Sequence, residues 1–174
     1  KSTTIRAINK TSLYVIVLSL IAILSAGTFL SMLSVGDKAP AFTVAGLDRD
    51  SIRLSDYKGK LVILHLWSPT CPHCREANQF IPIIMAPYKD ENIAYIMVAI
   101  DMDTSTLRPV IKEDKLNFAI HGYDPFDGAA KTMLDYKASG TPSIQVIDEK
   151  GKILAMDIGY KQLKKFLKKQ YPTK

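Results

Sequence analysis

Two long, almost entirely apolar runs predict the central strands of a buried sheet. Residues 61–67, LVILHLW, contain His65 as their polar interruption, and residues 92–100 form a second strongly apolar run. Strands that are covered on both faces show such continuous hydrophobicity and occur mainly in parallel sheets. We therefore expect the two strands to be parallel neighbours that are joined by a helical crossover.

Shorter patterns add strands on both sides of this pair. Residues 41–44 and 51–54 predict a small hairpin at one edge of the sheet, and residues 118–121 predict a short strand. Residues 144–147 and 152–156 flank a turn and predict an antiparallel hairpin. This order predicts an α/β sandwich with mixed strand pairing, although a small doubly wound domain would show the same order.

Helical spacing of apolar residues predicts the layers that cover the sheet. Residues 104–115 and 127–136 show this spacing, and the second segment directs Ala130, Met133 and Leu134 inward. We therefore expect one helix before the short strand and one after it.

The C-terminal segment predicts a final amphipathic helix. Its lysines are separated by apolar residues at helical spacing, namely Leu163, Phe166 and Leu167. A solvated basic face is the simplest interpretation of the lysines at 161, 164, 165, 168 and 169. Contact between that face and anionic lipid headgroups is the alternative.

A Cys-x-x-Cys pair follows the first buried strand directly. Residues 68–70 end the strand, and Pro72 suits the first helical turn, where a missing N–H is tolerated. Cys71 is then placed at a helix N-terminus, where unpaired N–H groups and the helix dipole favour a thiolate over a thiol. We therefore predict that Cys71 is the nucleophile and that Cys74, one turn further along, is the resolving thiol.

The rest of this helix bears on the same chemistry. His73 and Arg75 are expected to be exposed and to add positive potential beside Cys71. A stabilised thiolate is a better leaving group, so the disulfide is expected to be comparatively oxidising. Pro82 is expected to kink the helix and Pro87 to end it.

At these residues the chain resembles the thioredoxin superfamily. Trp67 lies four residues before the motif, and the Cys-Pro-His-Cys tetrad resembles that of DsbA-type oxidants. Residues 35–44 (VGDKAPAFTV), 92–136 and 139–153 (SGTPSIQVIDEKGKI) resemble the opening strand, the insertion and a later segment of the membrane-anchored TlpA/ResA-like branch. The resemblance covers nearly all of residues 35–174 and implies a thioredoxin-like α/β fold, with a central mixed sheet flanked by helices.

The resemblance also implies the residues that surround the disulfide. It places Thr141-Pro142 in a cis-proline loop that faces the disulfide, where the Thr141 backbone would bind an extended substrate strand. It makes Trp67 a wall of the active site. The substrate-binding and wall residues expected on this basis are Trp67, Pro72, His73, Thr141 and Pro142.

The chain departs from the superfamily at the buried carboxylate that commonly assists proton transfer. His65 stands at one position where the superfamily places that carboxylate, and Ala77 stands at the other. Either His65 or water would then move the proton. A packed strand histidine without a catalytic role is the other interpretation of His65.

An uncharged, largely apolar segment precedes this domain. Residues 11–36 carry no charge, and roughly 20 such residues span a bilayer as a helix. Lys1, Arg6 and Lys10 come before it, so the positive-inside rule keeps that end in the cytoplasm. The expected organisation is a cytoplasmic segment at 1–10, one N-terminal transmembrane helix acting as a signal anchor at 11–34, and a thioredoxin-like domain at 35–174.

A cleaved signal peptide is the alternative to an anchor, because residues 24–26 include small residues of the kind a peptidase accepts. The apolar run exceeds the roughly 7 to 15 residues of a typical signal-peptide core, which favours the anchor. We therefore expect a single-pass protein of the cell membrane whose catalytic domain lies on the extracytoplasmic, periplasmic side.

Composition narrows the choice of function. The net charge of +6 falls to +3 without the three cations before the anchor, which argues against nucleic-acid binding. Both cysteines lie in one motif, so they are expected to pair reversibly with each other, and no cofactor or metal beyond this disulfide is expected. A copper-binding Sco-like module that uses Cys71, Cys74 and His121 is the alternative from another class.

These observations predict an extracytoplasmic thiol-disulfide oxidoreductase. It would exchange the Cys71–Cys74 disulfide with cysteines of exported proteins and with a membrane or extracytoplasmic redox partner. The direction stays open at this point, because the redox partner sets it. The alternative is a disulfide reductase in cytochrome c maturation.

Overall fold

The computed structural model describes residues 9–11, 14, 33–101, 103–125 and 130–172. The chain divides into two compact units, residues 1–32 and 33–174. Most of the predicted anchor at 11–34, the alternative cleavage site and most of the predicted cytoplasmic segment lie outside the described residues. Within the described part, no helix is both long enough and apolar enough to cross a membrane.

Seven strands of the described residues form one mixed sheet. They are β1 (Thr43–Gly46), β2 (Ser51–Arg53), β3 (Leu61–Trp67), β4 (Ile93–Ile100), β5 (Ile120–Asp124), β6 (Ser143–Ile147) and β7 (Ile153–Ile158). Their order across the sheet is β2-β1-β5-β4-β3-β6-β7. The central pairs β3–β4 and β4–β5 are parallel, and the outer pairs are antiparallel. The predicted parallel pair, the edge hairpin and the mixed sheet are confirmed.

Five α-helices are described around this sheet. They are α1 (Pro72–Asn78), α2 (Ile81–Met85), α3 (Leu107–Glu113), α4 (Lys131–Asp135) and α5 (Tyr160–Gln170). At the kink predicted near Pro82 the helix is divided into α1 and α2 by Gln79 and Phe80, which both keep helical backbone angles. The division has a local cause, because Pro82 has no N–H to donate to the carbonyl of Asn78 four residues earlier. Pro87, which was expected to end the helix, lies in a short 3-10 turn at Ala86–Tyr88.

Two further predictions need correction. The strand expected at 118–121 lies slightly later, at β5, and Leu134 of α4 points outward with 57% of its surface exposed. Thr132 takes the inward position because its N–H and hydroxyl donate to Asp124 at 2.7 and 2.6 Å. These hydrogen bonds fix which face of α4 meets the sheet.

Strand alternation sorts the core into two layers. One layer, beneath α1, α2, α3 and α5, includes Ile63, Trp67, Cys74, Leu107 and Leu163. The other layer includes Phe42, Ile52, Leu64, Ile96 and Tyr136. Because β3 and β4 are parallel neighbours, with Trp67 opposite Ala99, their carboxyl ends meet at one edge of the sheet. That edge is where α1 begins.

Candidate active site

Cys71 is the N-cap residue of α1, at the edge of the sheet where β3 and β4 end. Pro72 follows in the first turn, as predicted, and the Cys71 sulfur accepts the backbone N–H of Cys74 at 3.4 Å. The Cys71 side chain is half-buried at the surface end of the helix. It therefore combines access for a substrate with a hydrogen-bond donor that favours a thiolate.

The surroundings of Cys71 favour its ionised form. Partial burial acts to raise the pKa of the Cys71 thiol, but hydrogen bonds from the thiol and the backbone N–H of Cys74 outweigh it. The net effect is a pKa below the ordinary value of a thiol. Cys71 thus has the properties of an attacking thiolate and of a good leaving group.

Cys74 lies in the opposite environment. Its side chain is fully buried in the core beneath α1, and the backbone N–H of Ser68 donates to its sulfur at 3.4 Å. Burial is the largest effect and raises the pKa of Cys74 to about 12, even though the Ser68 hydrogen bond lowers it. Cys74 is therefore a protonated thiol near neutral pH, one helical turn from a partner that ionises readily.

The Thr141-Pro142 peptide bond is cis, which confirms the expected cis-proline loop. The Cys71 thiol donates to the Thr141 carbonyl at 3.5 Å, so the loop lies directly against the motif. A groove beside this loop is lined by His73, Ala77, Pro142 and Tyr160, among others. The structure thus brings Thr141, Pro142 and His73, which were predicted to bind the substrate, close to Cys71.

His73 and Arg75 differ from each other in a way that the sequence did not predict. His73 is exposed, as expected. The expectation for Arg75 was wrong, because its guanidinium donates to both oxygens of Asp114 at 2.8 and 2.9 Å and lies 3.0 Å from Glu113. Two carboxylates offset its charge, so Arg75 adds little positive potential at Cys71.

Asp114 anchors the far end of α1. Its buried carboxylate accepts from Asn78 at 3.0 Å and from Gln79 at 3.2 Å in addition to Arg75. Four hydrogen bonds thus tie the last turn of α1 to the end of α3. Sequence analysis missed this residue, because nothing local marks a charged residue after an amphipathic helix as buried.

His65 and Trp67 are buried residues of β3, the strand that leads to the motif. His65 is fully buried, with its Nδ1 3.1 Å from the Tyr95 hydroxyl and its Nε2 without a hydrogen-bond partner among the described residues. Desolvation lowers the pKa of His65 to about 3, so the imidazole is neutral at neutral pH. Trp67 is also fully buried and packs in the same core layer as Cys74, behind the motif rather than on its surface.

A small polar network at the end of β3 was also missed. The Ser68 and Thr70 hydroxyls both donate to one carboxylate oxygen of Asp101, at 3.0 and 3.2 Å, and lie 2.9 Å from each other. Asp101 is the first residue after the second apolar run. Since neighbouring parallel strands end at the same edge, that position was a usable signal for a carboxylate close to the motif.

The residues proposed for a copper site are not brought together into a metal-binding cluster. His121 lies on β5, two strands from β3, and its Nε2 is 2.9 Å from the Leu116 carbonyl oxygen. The described residues contain no group of three or more His, Cys, Asp or Glu side chains arranged to hold a metal ion. The geometry gives the Sco-like alternative no support.

Comparison with known proteins gives consistent matches. A family model described as Redoxin matches residues 34–169. The chain is 27% identical over 143 residues to the thiol-disulfide oxidoreductase ResA of Bacillus cereus (strain ZK / E33L), covering 80% of each sequence. It is 28% identical over 123 residues to the protein of the same name from Oceanobacillus iheyensis, covering 68% of this chain and 62% of that one.

Solved structures show the same likeness. The thioredoxin domain of a thiol-disulfide oxidoreductase from Bacteroides vulgatus superposes with a TM-score of 0.67 at 28% identity, covering 78% of this chain and 99% of that chain. A thiol:disulfide interchange protein from Bacteroides sp. superposes with a TM-score of 0.69 at 28% identity, covering 79% and 90%. The fold is therefore thioredoxin-like.

Proposed function

The chain belongs to the Redoxin family and is a thiol-disulfide oxidoreductase, and on this basis we propose that it exchanges a Cys71–Cys74 disulfide with the cysteines of exported proteins. The observation that carries the proposal is the contrast between the two cysteines. Cys71 is accessible and has a lowered pKa, whereas Cys74 is buried and has a pKa raised to about 12. This contrast supports attack and leaving by Cys71 and resolution by Cys74.

The chemistry proceeds in two exchanges. In the reducing direction the Cys71 thiolate attacks a client disulfide, a Cys71–client bond forms, and the other client sulfur leaves as a thiolate that takes a proton from solvent. Cys74 then loses its proton and attacks the Cys71 sulfur, so that the Cys71–Cys74 disulfide forms and the second client sulfur leaves. Two electrons pass from the protein to the client. The oxidising direction is the reverse of these steps.

The proton of Cys74 passes to His65 or to water. With a pKa of about 3, His65 would hold that proton only weakly and would pass it on to solvent. The client would lie in the groove beside the cis-proline loop, with its main chain against Thr141 and with Pro72, His73 and Pro142 at its sides. Such main-chain recognition suits a protein that acts on many unfolded chains.

The direction of exchange is tested by equilibrating the protein with glutathione. A stabilised Cys71 thiolate stabilises the reduced form, so we expect a potential more oxidising than the roughly −270 mV of thioredoxin and closer to the roughly −120 mV of DsbA. This result would support the oxidant. A potential at or below that of thioredoxin would reject it in favour of the reductase alternative.

The location is a separate part of the proposal. Residues 11–34 would anchor the protein in the membrane and leave the catalytic domain outside the cytoplasm, facing exported clients and an extracytoplasmic redox partner. A reporter fused after Lys174 should then be active outside the cytoplasm, and carbonate-washed membranes should retain the protein. Release of a soluble form with a new N-terminus near Gly27 would replace the anchor by a signal peptide.

A further inference from the structure

The connection between β3 and α1 is held by a carboxylate from the neighbouring strand. One oxygen of Asp101 accepts the hydroxyls of Ser68 and Thr70, and the Ser68 oxygen also accepts the backbone N–H of Thr70 at 3.2 Å. The other oxygen of Asp101 accepts the backbone N–H of Asp103 at 3.2 Å. Both ends of the carboxylate are thus engaged, and its position is fixed.

Ser68 joins this network to the redox pair. Its hydroxyl donates to Asp101, and its backbone N–H donates to the Cys74 sulfur at 3.4 Å. Because its side chain is hydrogen-bonded to Asp101, Ser68 has less freedom to rotate its backbone. Asp101 thus restrains the residue whose backbone N–H donates to the Cys74 sulfur.

We propose that Asp101 is a positioning residue for the resolving step, which it assists by holding the Ser68 N–H on the sulfur of Cys74. The proposal rests on the thiol-disulfide exchange proposed above. When Cys74 attacks, negative charge develops on its sulfur inside the core, where water does not compensate it. A donor fixed in advance stabilises that charge without reorganising.

The negative charge of Asp101 and its hydrogen bonds to the loop should have opposite effects on the attack by Cys74. A nearby carboxylate disfavours a thiolate, so a role through charge alone predicts that neutralising Asp101 speeds resolution. A role through position predicts that Asp101→Asn retains most of the rate, because the amide oxygen can still accept the hydroxyls of Ser68 and Thr70, although its NH2 cannot accept the N–H of Asp103. Asp101→Ala, which removes the acceptor as well, should slow resolution.

The two thiols can be followed separately with dithiobis(nitrobenzoate), an aromatic disulfide whose released thiolate is coloured. The full chain is kept in detergent, reduced, and mixed in excess over the reagent. Attack by Cys71 releases one coloured thiolate and leaves the other on Cys71. Attack by Cys74 on Cys71 then releases the second, forms the Cys71–Cys74 disulfide and gives the Cys74 proton to solvent.

Asp101→Ala should slow the second release at each pH and leave the first release unchanged. A rise of one unit in the Cys74 pKa would reduce its thiolate roughly tenfold and raise its nucleophilicity roughly threefold, so the expected net loss is roughly threefold. Asp101→Asn should stay within roughly twofold of the wild-type rate. Asp103→Ala is the matched control, because it removes an exposed carboxylate that accepts from Ser105 but keeps the backbone N–H that donates to Asp101.

Ser68→Ala provides a second variant should Asp101→Ala fail to fold. It keeps the backbone N–H but releases it from Asp101, and it should slow the second release in the same way. An unchanged second release in either folded variant, or a faster one in Asp101→Asn, would overturn the inference. If the wild-type protein gives no first release, the proposed function itself fails.

Discussion

The rim of the site around Cys71 and the buried region behind Cys74 are one helical turn apart, but they differ strongly in solvent exposure and in the ionisation of their thiols. At the rim, Pro72 and His73 are exposed, and Thr141 and Pro142 are half-buried. Hydrogen bonds there reach a sulfur that solvent and a client can also reach. This region is suited to binding and to the first chemical step.

The buried region behind Cys74 combines a thiol with several polar side chains. Cys74, His65 and Asn78 are fully buried, and Asp114 is nearly so. Burial there keeps Cys74 protonated and His65 neutral. The comparison teaches that depth in the fold, rather than residue type, separates the roles of two identical side chains.

The strongest way to break the comparison is to remove each sulfur in turn. Cys71→Ser should abolish exchange, by roughly 10³-fold or more, because the accessible thiolate is lost. Cys74→Ser should accumulate mixed disulfides through Cys71, because nothing resolves them. Non-reducing electrophoresis of cells that express each variant measures both. Equal trapping by the two variants would contradict the assignment of roles.

A large effect on stability is expected from His65 in acid. Its pKa is about 3 in the folded protein and about 6.5 when unfolded, so the unfolded chain binds the proton first. The stability contributed by the neutral form is complete above pH 6.5 and is lost as the pH falls toward 3. Between pH 7 and 4 this loss is about 3 kcal/mol, measured by urea unfolding.

His65→Leu should remove that part of the pH dependence. Tyr95→Phe is the matched control, because it deletes the hydroxyl that contacts the imidazole but retains the titrating group. An identical acid loss in the wild-type and His65→Leu proteins would show that His65 is not buried as a neutral base.

A smaller effect on stability is expected at the anchored end of α1. Among the described residues, Arg75→Ala leaves the buried Asp114 with the two amide donors of Asn78 and Gln79, which should cost about 2 to 3 kcal/mol. The Cys71 pKa should hardly change. Arg108→Ala is the control, because the ion pair of Arg108 with Asp48 is exposed and should contribute little. A large change in Cys71 reactivity in Arg75→Ala would show that its charge acts at the rim.

The smallest effect is expected at His73. His73→Pro removes a backbone N–H that lowers the Cys71 pKa, together with the imidazole beside it, so the reduced form is destabilised and the potential becomes more negative. Because the side chain is exposed, a shift of roughly 30 mV is expected, measured against glutathione. His73→Ala retains the N–H and separates the two contributions. No change in either variant would mean that the dipeptide does not set the potential.

Much of this arrangement was predictable from the sequence, because it depends on local patterns. The continuous apolar character of β3 and β4 predicted a parallel buried pair, and Pro72 after a strand-ending turn predicted Cys71 at a helix N-terminus. Burial of Cys74 follows from its place one turn into that helix. The cis bond at Pro142 followed from the family resemblance rather than from local chemistry.

The rest depends on contacts between residues that are distant in the chain. The partners of Arg75 and Ser68 lie 39 and 33 residues away, and no periodicity reveals either pairing. Leu134 failed as an inward residue because Thr132 binds Asp124, a contact that overrides the apolar pattern. Such choices are decided by tertiary hydrogen bonds.

The most direct test of the contrast between rim and core is the ionisation of both thiols in one reduced protein. Initial rates of alkylation would be measured at each cysteine against pH, with mass spectrometry to separate the two sites. Cys71 should become reactive below the roughly pH 8.5 of a free thiol, and Cys74 should stay unreactive well above it. Two thiols that titrate together near pH 8.5 would contradict the account.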